Sequence, residues 1–351
     1  MKRTSPIKTA FLVSLGCLLP LVAGAQLEWR VSVKFILDSS GNLPALAAGS
    51  YGAQSTPLTN HLAVTNQIAT ANDVLDHAGR GYRYALTEVV DLGGVSQWFT
   101  TDARSAANRT ALETAATADA ASKVTYAWRD DAINVYINGS GSGVCSIPSS
   151  SYHLIFLGVD AYNTIFVHEA GHFFSLLHTH QGESGCADHC PGCTDPKIPG
   201  DADGVGDTLP DHECWTRDNI AMNSFGGRTF AMLNDAEQNQ VLNVFTNIMS
   251  YHLPQDRFTP DQLDRMTDAS NDPSQRRYVA TGRTWFMSTA GNDSAGNGSS
   301  TSPYRSLGQS ALFASSGDIV LLRTGNYDER LTITKHLTLR ATRGVVNVGR
   351  P

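Results

Sequence analysis

Residues 168–178 read HEAGHFFSLLH, a segment in which three histidines are spaced around one glutamate. If the segment begins as a helix, His168 and His172 lie one turn apart on the same face, so both imidazoles can bind one zinc ion. Glu169 projects beside them, where its carboxylate can take a proton from water without binding the metal. The spacing therefore predicts a zinc site with an adjacent general base.

The third zinc ligand is predicted to be His178, ten residues beyond His168. It can reach the metal only if the helix ends soon after His172 and the chain turns back. Three protein nitrogens leave one tetrahedral position for water, which is typical of catalytic rather than structural zinc. His180 is a rival for the third position, although the spacing favours His178.

Strand and helix patterns alternate before this segment. Strand patterns occupy 29–37, 82–90, 132–137 and 152–159, and helical patterns occupy 58–77, 104–121 and 164–176. This alternation predicts an α/β (α+β) domain, at residues 27–270, with a mixed sheet flanked by helices.

The chain changes character after His180. Residues 181–215 hold four of the six cysteines and show little periodicity, which predicts a long loop stapled by disulfides or bound ions. Cys190 and Cys193 could also form half of a structural zinc site, but no second ligand pair follows at a suitable spacing.

Three carboxylates lie close together on a Gly-rich part of this loop, at Asp201, Asp203 and Asp207. Hard oxygen ligands on flexible backbone suit calcium, so we predict a calcium site, with an acidic solvated turn as the alternative.

A helix start is predicted at 259–262, where Thr is the N-cap, Pro the first helical residue and Gln the partner of a capping box. This helix closes the first domain. Residues 271–283 are expected to form a linker, and 284–351 a small all-β module. Its strand patterns lie at 319–322, 331–333 and 337–339.

The N-terminus is typical of a secretory signal peptide. Basic residues precede an apolar run at 11–22, and the small residues 23–25 predict cleavage after Ala25. A buried N-terminal helix and a lipoprotein signal at Cys17 are weaker alternatives. No membrane span is expected in the mature chain. Cleavage would remove three positive charges, changing the formal net charge from −7 to −10, which argues against nucleic-acid binding.

HEAGHFFSLLH resembles HExxHxxGxxH, the zinc-binding pattern of metzincin proteases, except that Ser175 stands at the glycine position. That glycine permits a left-handed turn, where a serine costs roughly 1 kcal/mol. Residues 247–251, NIMSY, resemble the metzincin Met-turn. The resemblance implies that Met249 forms a hydrophobic floor under the zinc and that Tyr251 donates a hydrogen bond in the transition state.

Within the metzincins, the chain is most similar to the pappalysin or cytophagalysin family, over residues 29–270. This likeness rests on GDTLP at 206–210, on NIMSY and on FTPDQ at 258–262. It implies a metzincin-type catalytic domain and a secreted zinc-dependent endopeptidase acting on protein or peptide substrates. By analogy Cys186 pairs with Cys214, and calcium helps to order the loop. The pairing stays open for the other cysteines: Cys145, Cys190 and Cys193.

Residues 284–349 resemble the start of a parallel β-helix of the pectate-lyase-like kind, with room for one or two coils. The motifs are STAGND at 288–293, SPYRSL at 302–307 and GDIV at 317–320. Glycan contact by this module is one expectation, and a structural appendage is the other.

Two other functions stay open at the level of sequence. The first is a non-catalytic adhesin or glycan-binding protein on a protease scaffold, although intact Glu169 and Tyr251 argue against it. The second is a zinc hydrolase of another amide, because metal chemistry alone does not specify the bond.

Overall fold

A five-stranded mixed sheet forms the centre of the N-terminal part. The computed structural model describes residues 27–46, 57–140, 144–145, 153–180, 203–212, 214–342 and 344–349. The strands are β1 (Leu27–Ile36), β2 (Tyr82–Leu92), β3 (Ile133–Asn138), β4 (Val144–Cys145) and β5 (Leu154–Gly158). They lie in the order β2-β1-β3-β5-β4, with β4 antiparallel to β5 and the other pairs parallel. The predicted mixed sheet is confirmed.

Helices cover both faces of this sheet and continue beyond it. In the described part of the chain they are α1 (His61–His77), α2 (Ala106–Thr117), α3 (Ala120–Thr125), α4 (Ile165–Phe173), α5 (Arg217–Ser224), α6 (Asp235–Phe245), α7 (Pro260–Asn271) and α8 (Leu307–Phe313). The prediction of a single helix at 104–121 is wrong, because two helices, α2 and α3, occupy this region. Asp119 accepts a hydrogen bond from Ser122 N at 2.7 Å and so caps a second helix.

The alternating side chains of β1 divide the core between the two sheet faces. Val33 and Phe35 belong to the larger cluster, which includes Val167 and Ala170 of α4. Ile36 belongs to a second cluster on the other side, formed with Leu112 and Ala116 of α2. The helix that bears the first two histidines is thus packed directly on the sheet, and every residue of α4 is buried.

One residue of β1 that points to the same side of the sheet as Ile36 is a buried lysine, Lys34. Lys34 Nζ donates hydrogen bonds to Asn134 Oδ1 at 2.6 Å and to Ser32 O at 3.1 Å. It also lies 5.4 Å from the ring centroid of Tyr136. Burial lowers the pKa of Lys34 from 10.5 to about 7, and the charge of Glu88 opposes this shift.

This pKa predicts a pH-dependent stability. Between about 7 and 10.5 the unfolded chain holds a proton that the folded chain has released, so folding becomes more favourable as pH rises. We expect the unfolding free energy of the parent, relative to Lys34→Met, to rise by up to about 1.4 kcal/mol per pH unit in this window. Urea unfolding of both proteins across the window measures it, and a difference that is independent of pH would show the assignment to be wrong.

The C-terminal part contains short parallel strands. One sheet has the order β6-β7-β9, formed by Thr284–Met287, Ile319–Leu322 and Thr338–Ala341. Another pairs β8 (Gly325–Tyr327) with β10 (Val346–Val348). This segment is not all-β, because α8 lies within it. The strand predicted at 331–333 is absent. The resemblance to a β-helix stays a prediction.

Helix α7 connects the C-terminal part to the N-terminal part. Its Asp264 pairs with Arg80 at 2.5 Å and with Arg323, beyond β7, at 3.2 Å. Asp268 accepts a hydrogen bond from Ser300 Oγ at 2.5 Å. The module therefore packs on the domain rather than standing apart from it.

The segment predicted as a linker, 271–283, also packs on the domain. Tyr278 and Val279 are buried and join the larger core cluster. Val279 forms a β-bridge with Trp29 of β1. The segment was predicted to be a linker because most of its residues are polar. It packs on the domain because its apolar residues Tyr278 and Val279 are buried.

The helices in the described part of the chain are all too short or too polar to cross a membrane. The predicted signal peptide, 1–25, lies outside the described residues.

Candidate metal centre

The orientation of the first histidine is set by the Met-turn. His168 Nδ1 lies 2.6 Å from the carbonyl oxygen of Ile248. A carbonyl can only accept, so Nδ1 carries the proton and Nε2 of the neutral ring carries a lone pair. The lone pair of His168 Nε2 is thereby directed away from Ile248.

The helix ends as the third histidine requires. Ser175 has φ of +70°, and Leu176 N donates to Gly171 O at 3.0 Å, which closes the end of α4 with a left-handed residue. The carbonyl of Leu176 then accepts from His172 Nδ1 at 2.8 Å. One turn therefore reverses the chain and fixes the second imidazole.

We predict that Ser175→Gly stabilises the protein. Glycine adopts positive φ without steric cost, whereas serine is strained there, so the unfolding free energy should rise by about 1 kcal/mol. Urea unfolding measures the change. Ser175→Ala is the control, because it removes the hydroxyl and keeps the strain. An equal gain in both variants would show that the backbone is not the cause.

The three imidazoles converge at their Nε2 atoms. His178 Nε2 lies 3.0 Å from His172 Nε2 and 3.3 Å from His168 Nε2. Burial, followed by the mutual proximity of the rings, lowers the pKa of His168 to about 3 and of His178 to about 2. For His172, burial lowers the pKa to about 4. The rings are therefore neutral at physiological pH, the form that binds metal.

This donor set fits zinc. Two of the Nε2 atoms present lone pairs to a common point because their Nδ1 protons are used elsewhere. Lone pairs that converge in this way are suited to hold a cation between them. Among the described residues, this trio is the group of His, Cys, Asp or Glu that could hold a metal ion.

The rival histidine takes a different position. The ring of His180 stacks on that of His178, with centroids 4.9 Å apart, and approaches Tyr251 at 4.5 Å. It is not part of the converging trio.

Met249 packs beneath the helix of the site. It is fully buried, and a Cβ added at Gly171 would overlap its sulfur. Met249 N donates to Asn247 Oδ1 at 2.8 Å, and Asn247 Nδ2 donates to Gln262 Oε1 at 2.9 Å. Because Gln262 also completes the capping box of α7, the start of that helix anchors the Met-turn.

A buried network ties the third histidine to the Met-turn, and sequence analysis did not find it. Asp211 accepts from Thr179 Oγ1 at 2.6 Å and lies 2.9 Å from His252 Nε2. Thr179 N also donates to Met249 O at 3.2 Å. These residues flank His178 and Tyr251 in the chain, so the network positions both. The sequence gives no sign of the contact between Asp211 and His252, because the two residues are 41 positions apart.

An open cleft of about 460 Å³ lies beside the trio. Glu169 and Tyr251 line it, together with Tyr162, which sequence analysis also missed. Tyr251 is 51% exposed, with its ring 4.8 Å from that of His178. Burial, followed by the charge of Glu169, raises the pKa of Tyr162, so its hydroxyl stays protonated. The cleft thus combines one buried carboxylate with two phenols.

The carboxylates proposed for calcium have other contacts in the described part of the chain. Asp203 accepts from Thr208 Oγ1 at 2.9 Å, and Asp207 accepts from Asp261 N at 2.9 Å. Asp201 lies outside the described residues, so the calcium site stays a prediction.

The disulfide predicted by analogy is only partly described. Cys214 is disulfide-bonded, but Cys186 lies outside the described residues, and the pairing of these two stays a prediction. Cys190 and Cys193 also lie outside them.

Comparison with known proteins finds a similarity to one family over part of the chain. No curated protein matches. A solved structure described as "Structure of a chaperone-substrate complex" has 13% identity and a TM-score of 0.28, which is too low to carry an argument. The match covers 62% of this chain and 38% of that one.

Residues 124–271 match the family model Peptidase_M43, described as Pregnancy-associated plasma protein-A. This range includes the histidine trio, Glu169 and the Met-turn, and the family supports a zinc metallopeptidase. The resemblance drawn from the motifs is confirmed over this range: the segment 124–271 matches the pappalysin family of metzincin peptidases.

Proposed function

We propose that the protein is a secreted zinc-dependent endopeptidase in which His168, His172 and His178 hold the metal. The observation that carries this proposal is the convergence of three neutral Nε2 atoms at the edge of an open cleft that also contains Glu169. The match to a peptidase family supports peptide bonds as the substrate. Neither alternative, an adhesin or a hydrolase of another amide, has a specific observation in its favour.

Glu169 is the general base in this proposal. The chemistry that zinc supplies in such a centre is Lewis acidity, which acidifies water and polarises a carbonyl oxygen. The carboxylate of Glu169 takes the proton from the attacking water and then gives it to the leaving amine. Its position in the wall of the cleft, beside the three imidazoles, supports this role.

Tyr251 stabilises the oxyanion. Its half-exposed ring lies against His178 at the rim of the cleft, so the hydroxyl can move toward a bound substrate. A hydrogen bond to the charge that develops on the carbonyl oxygen lowers the barrier. Met249 is the hydrophobic floor that keeps the helix and the Met-turn at a fixed distance.

Removal of metal tests the proposal. We expect the purified mature chain to cut casein, a zinc chelator to abolish cleavage, and added zinc to restore it, because the trio has no other means of activating water. Retention of full activity in the chelator would reject the zinc mechanism. Absence of cleavage of casein and of peptides by the zinc-loaded protein would favour the adhesin or the hydrolase of another amide.

Export is the remaining part of the proposal. Residues 1–25 support it, because basic residues are followed by an apolar run and then by small residues at the predicted cleavage site. Mass spectrometry of the protein recovered outside the cytoplasm of an expressing cell should give a chain beginning at Gln26. An uncleaved N-terminus would reject this part alone.

A further inference from the structure

The cleft beside the histidine trio has one arginine in its wall. Arg104 lines the cleft together with Ile165 and Leu253. Among the described residues that line this cleft, the acidic and basic side chains are Arg104, the three histidines and Glu169. If Glu169 is committed to catalysis, Arg104 is the charge that a substrate meets in the wall.

The backbone around Arg104 is held firmly. The buried side chain of Arg109 donates from Nη1 to the carbonyl oxygens of Ala103, at 3.0 Å, and of Arg104, at 2.8 Å. Asp102 Oδ1 accepts from Arg104 N at 3.0 Å. The backbone from which the Arg104 side chain extends is therefore held by the protein itself.

The ion pair of Arg104 uses only one side of the guanidinium. Arg104 Nε donates to Asp102 Oδ1 at 3.1 Å. Within the described residues, Nη1 and Nη2 have no hydrogen-bond partner in the protein, and this pair of nitrogens is the fork that binds a carboxylate in bidentate fashion. Asp102 thus orients the fork without occupying it.

We propose that Arg104 makes this enzyme select substrates that place a carboxylate in the cleft, close to the bond that is cut. The inference rests on the proposed peptidase function. The carboxylate is either an Asp or Glu side chain or the C-terminal carboxylate of the substrate. Ile165 and Leu253 pack against the methylene groups that carry it. Because the protein is acidic overall, with a formal net charge of −7, local recognition by one arginine is needed to offset general repulsion of an acidic substrate.

Paired peptides test the selection. Each pair is identical except for Glu or Gln at one position flanking the scissile bond, and each flanking position is tried in turn. At one position we expect the parent to favour the Glu peptide by about two- to fivefold in kcat/KM, since the Arg104 side chain is 63% exposed and solvent weakens its pairing with a carboxylate. In Arg104→Gln the ratio should fall to about one. Arg104→Glu should reverse the selection, so that Lys is favoured at the same position.

Arg83→Gln is the matched control, because Arg83 is an exposed arginine that pairs with Glu28 and does not line the cleft. It should keep the selectivity and rate of the parent. Repeating the series with free and amidated C-termini separates the two carboxylate sources. If only the free terminus is favoured, and Arg104→Gln removes that preference, the terminal carboxylate is the group recognised.

The ratio within one preparation does not depend on the fraction that is folded, so a poorly folding variant still gives an answer. A parent that cuts peptides without preferring a carboxylate, or an Arg104→Gln variant that keeps the preference, overturns the inference. A zinc-loaded parent that cuts no peptide overturns the proposed function as well, and the two failures are therefore distinguishable.

Discussion

Glu169→Gln is expected to lower kcat by about 10²–10⁴-fold, the range typical of the loss of a general base. The amide keeps the shape of the side chain but cannot accept the proton from water. Because Glu169 lies among the histidines without being one of the three converging donors, zinc content should stay near one ion per chain. Rates on a peptide substrate, together with metal analysis of the same samples, measure both effects.

Glu28→Gln is the control for this variant. Glu28 lies on β1, pairs with Arg83 at 3.7 Å and does not line the cleft, so its replacement should leave kcat unchanged. Glu169→Gln with parental activity would exclude the proposed role. A variant that loses both zinc and activity would instead make Glu169 a ligand.

His178→Ala is expected to weaken zinc binding by more than about 100-fold, beyond what the loss of an outer-shell partner costs, and to abolish hydrolysis. Its Nε2 is the atom that closes the trio. His180→Ala should retain zinc, because His180 stacks on the His178 ring and is not one of the converging donors. Competition with a chromogenic chelator measures both affinities.

The two variants separate the alternatives that spacing left open. Loss of zinc in His180→Ala with retention in His178→Ala would assign the third ligand to His180. Some loss of activity in His180→Ala is expected in either case, since the ring also contacts Tyr251. The zinc affinity is therefore the measurement that discriminates.

Local patterns predicted the central sheet and the helix of the site because both depend on local periodicity. Strand β1 lies where alternation predicted it, and α4 begins one residue after its predicted start. The strain assigned to Ser175 corresponds to its observed φ of +70°. A residue at that position must reverse the chain whatever its type, so the turn could be inferred from the positions of the histidines.

The other features depend on residues that are distant in sequence. Asp211 and His252 meet only because the loop after α4 returns to the Met-turn. The position of Arg104 in the cleft wall has no signature near it in the chain. Tyr278, in the predicted linker, is buried because β1 and α4 provide a surface for it. Such contacts follow from the assembled fold and not from any single segment.

The nature of the metal centre itself can be measured by X-ray absorption at the zinc edge of the purified mature protein. We expect one zinc per chain, bound by three imidazole nitrogens at about 2.0–2.1 Å and one light oxygen ligand from solvent. The signal of one imidazole should disappear in His178→Ala. A zinc ion with sulfur ligands, or a parent protein that takes up no zinc, would show that the three histidines do not form the catalytic centre.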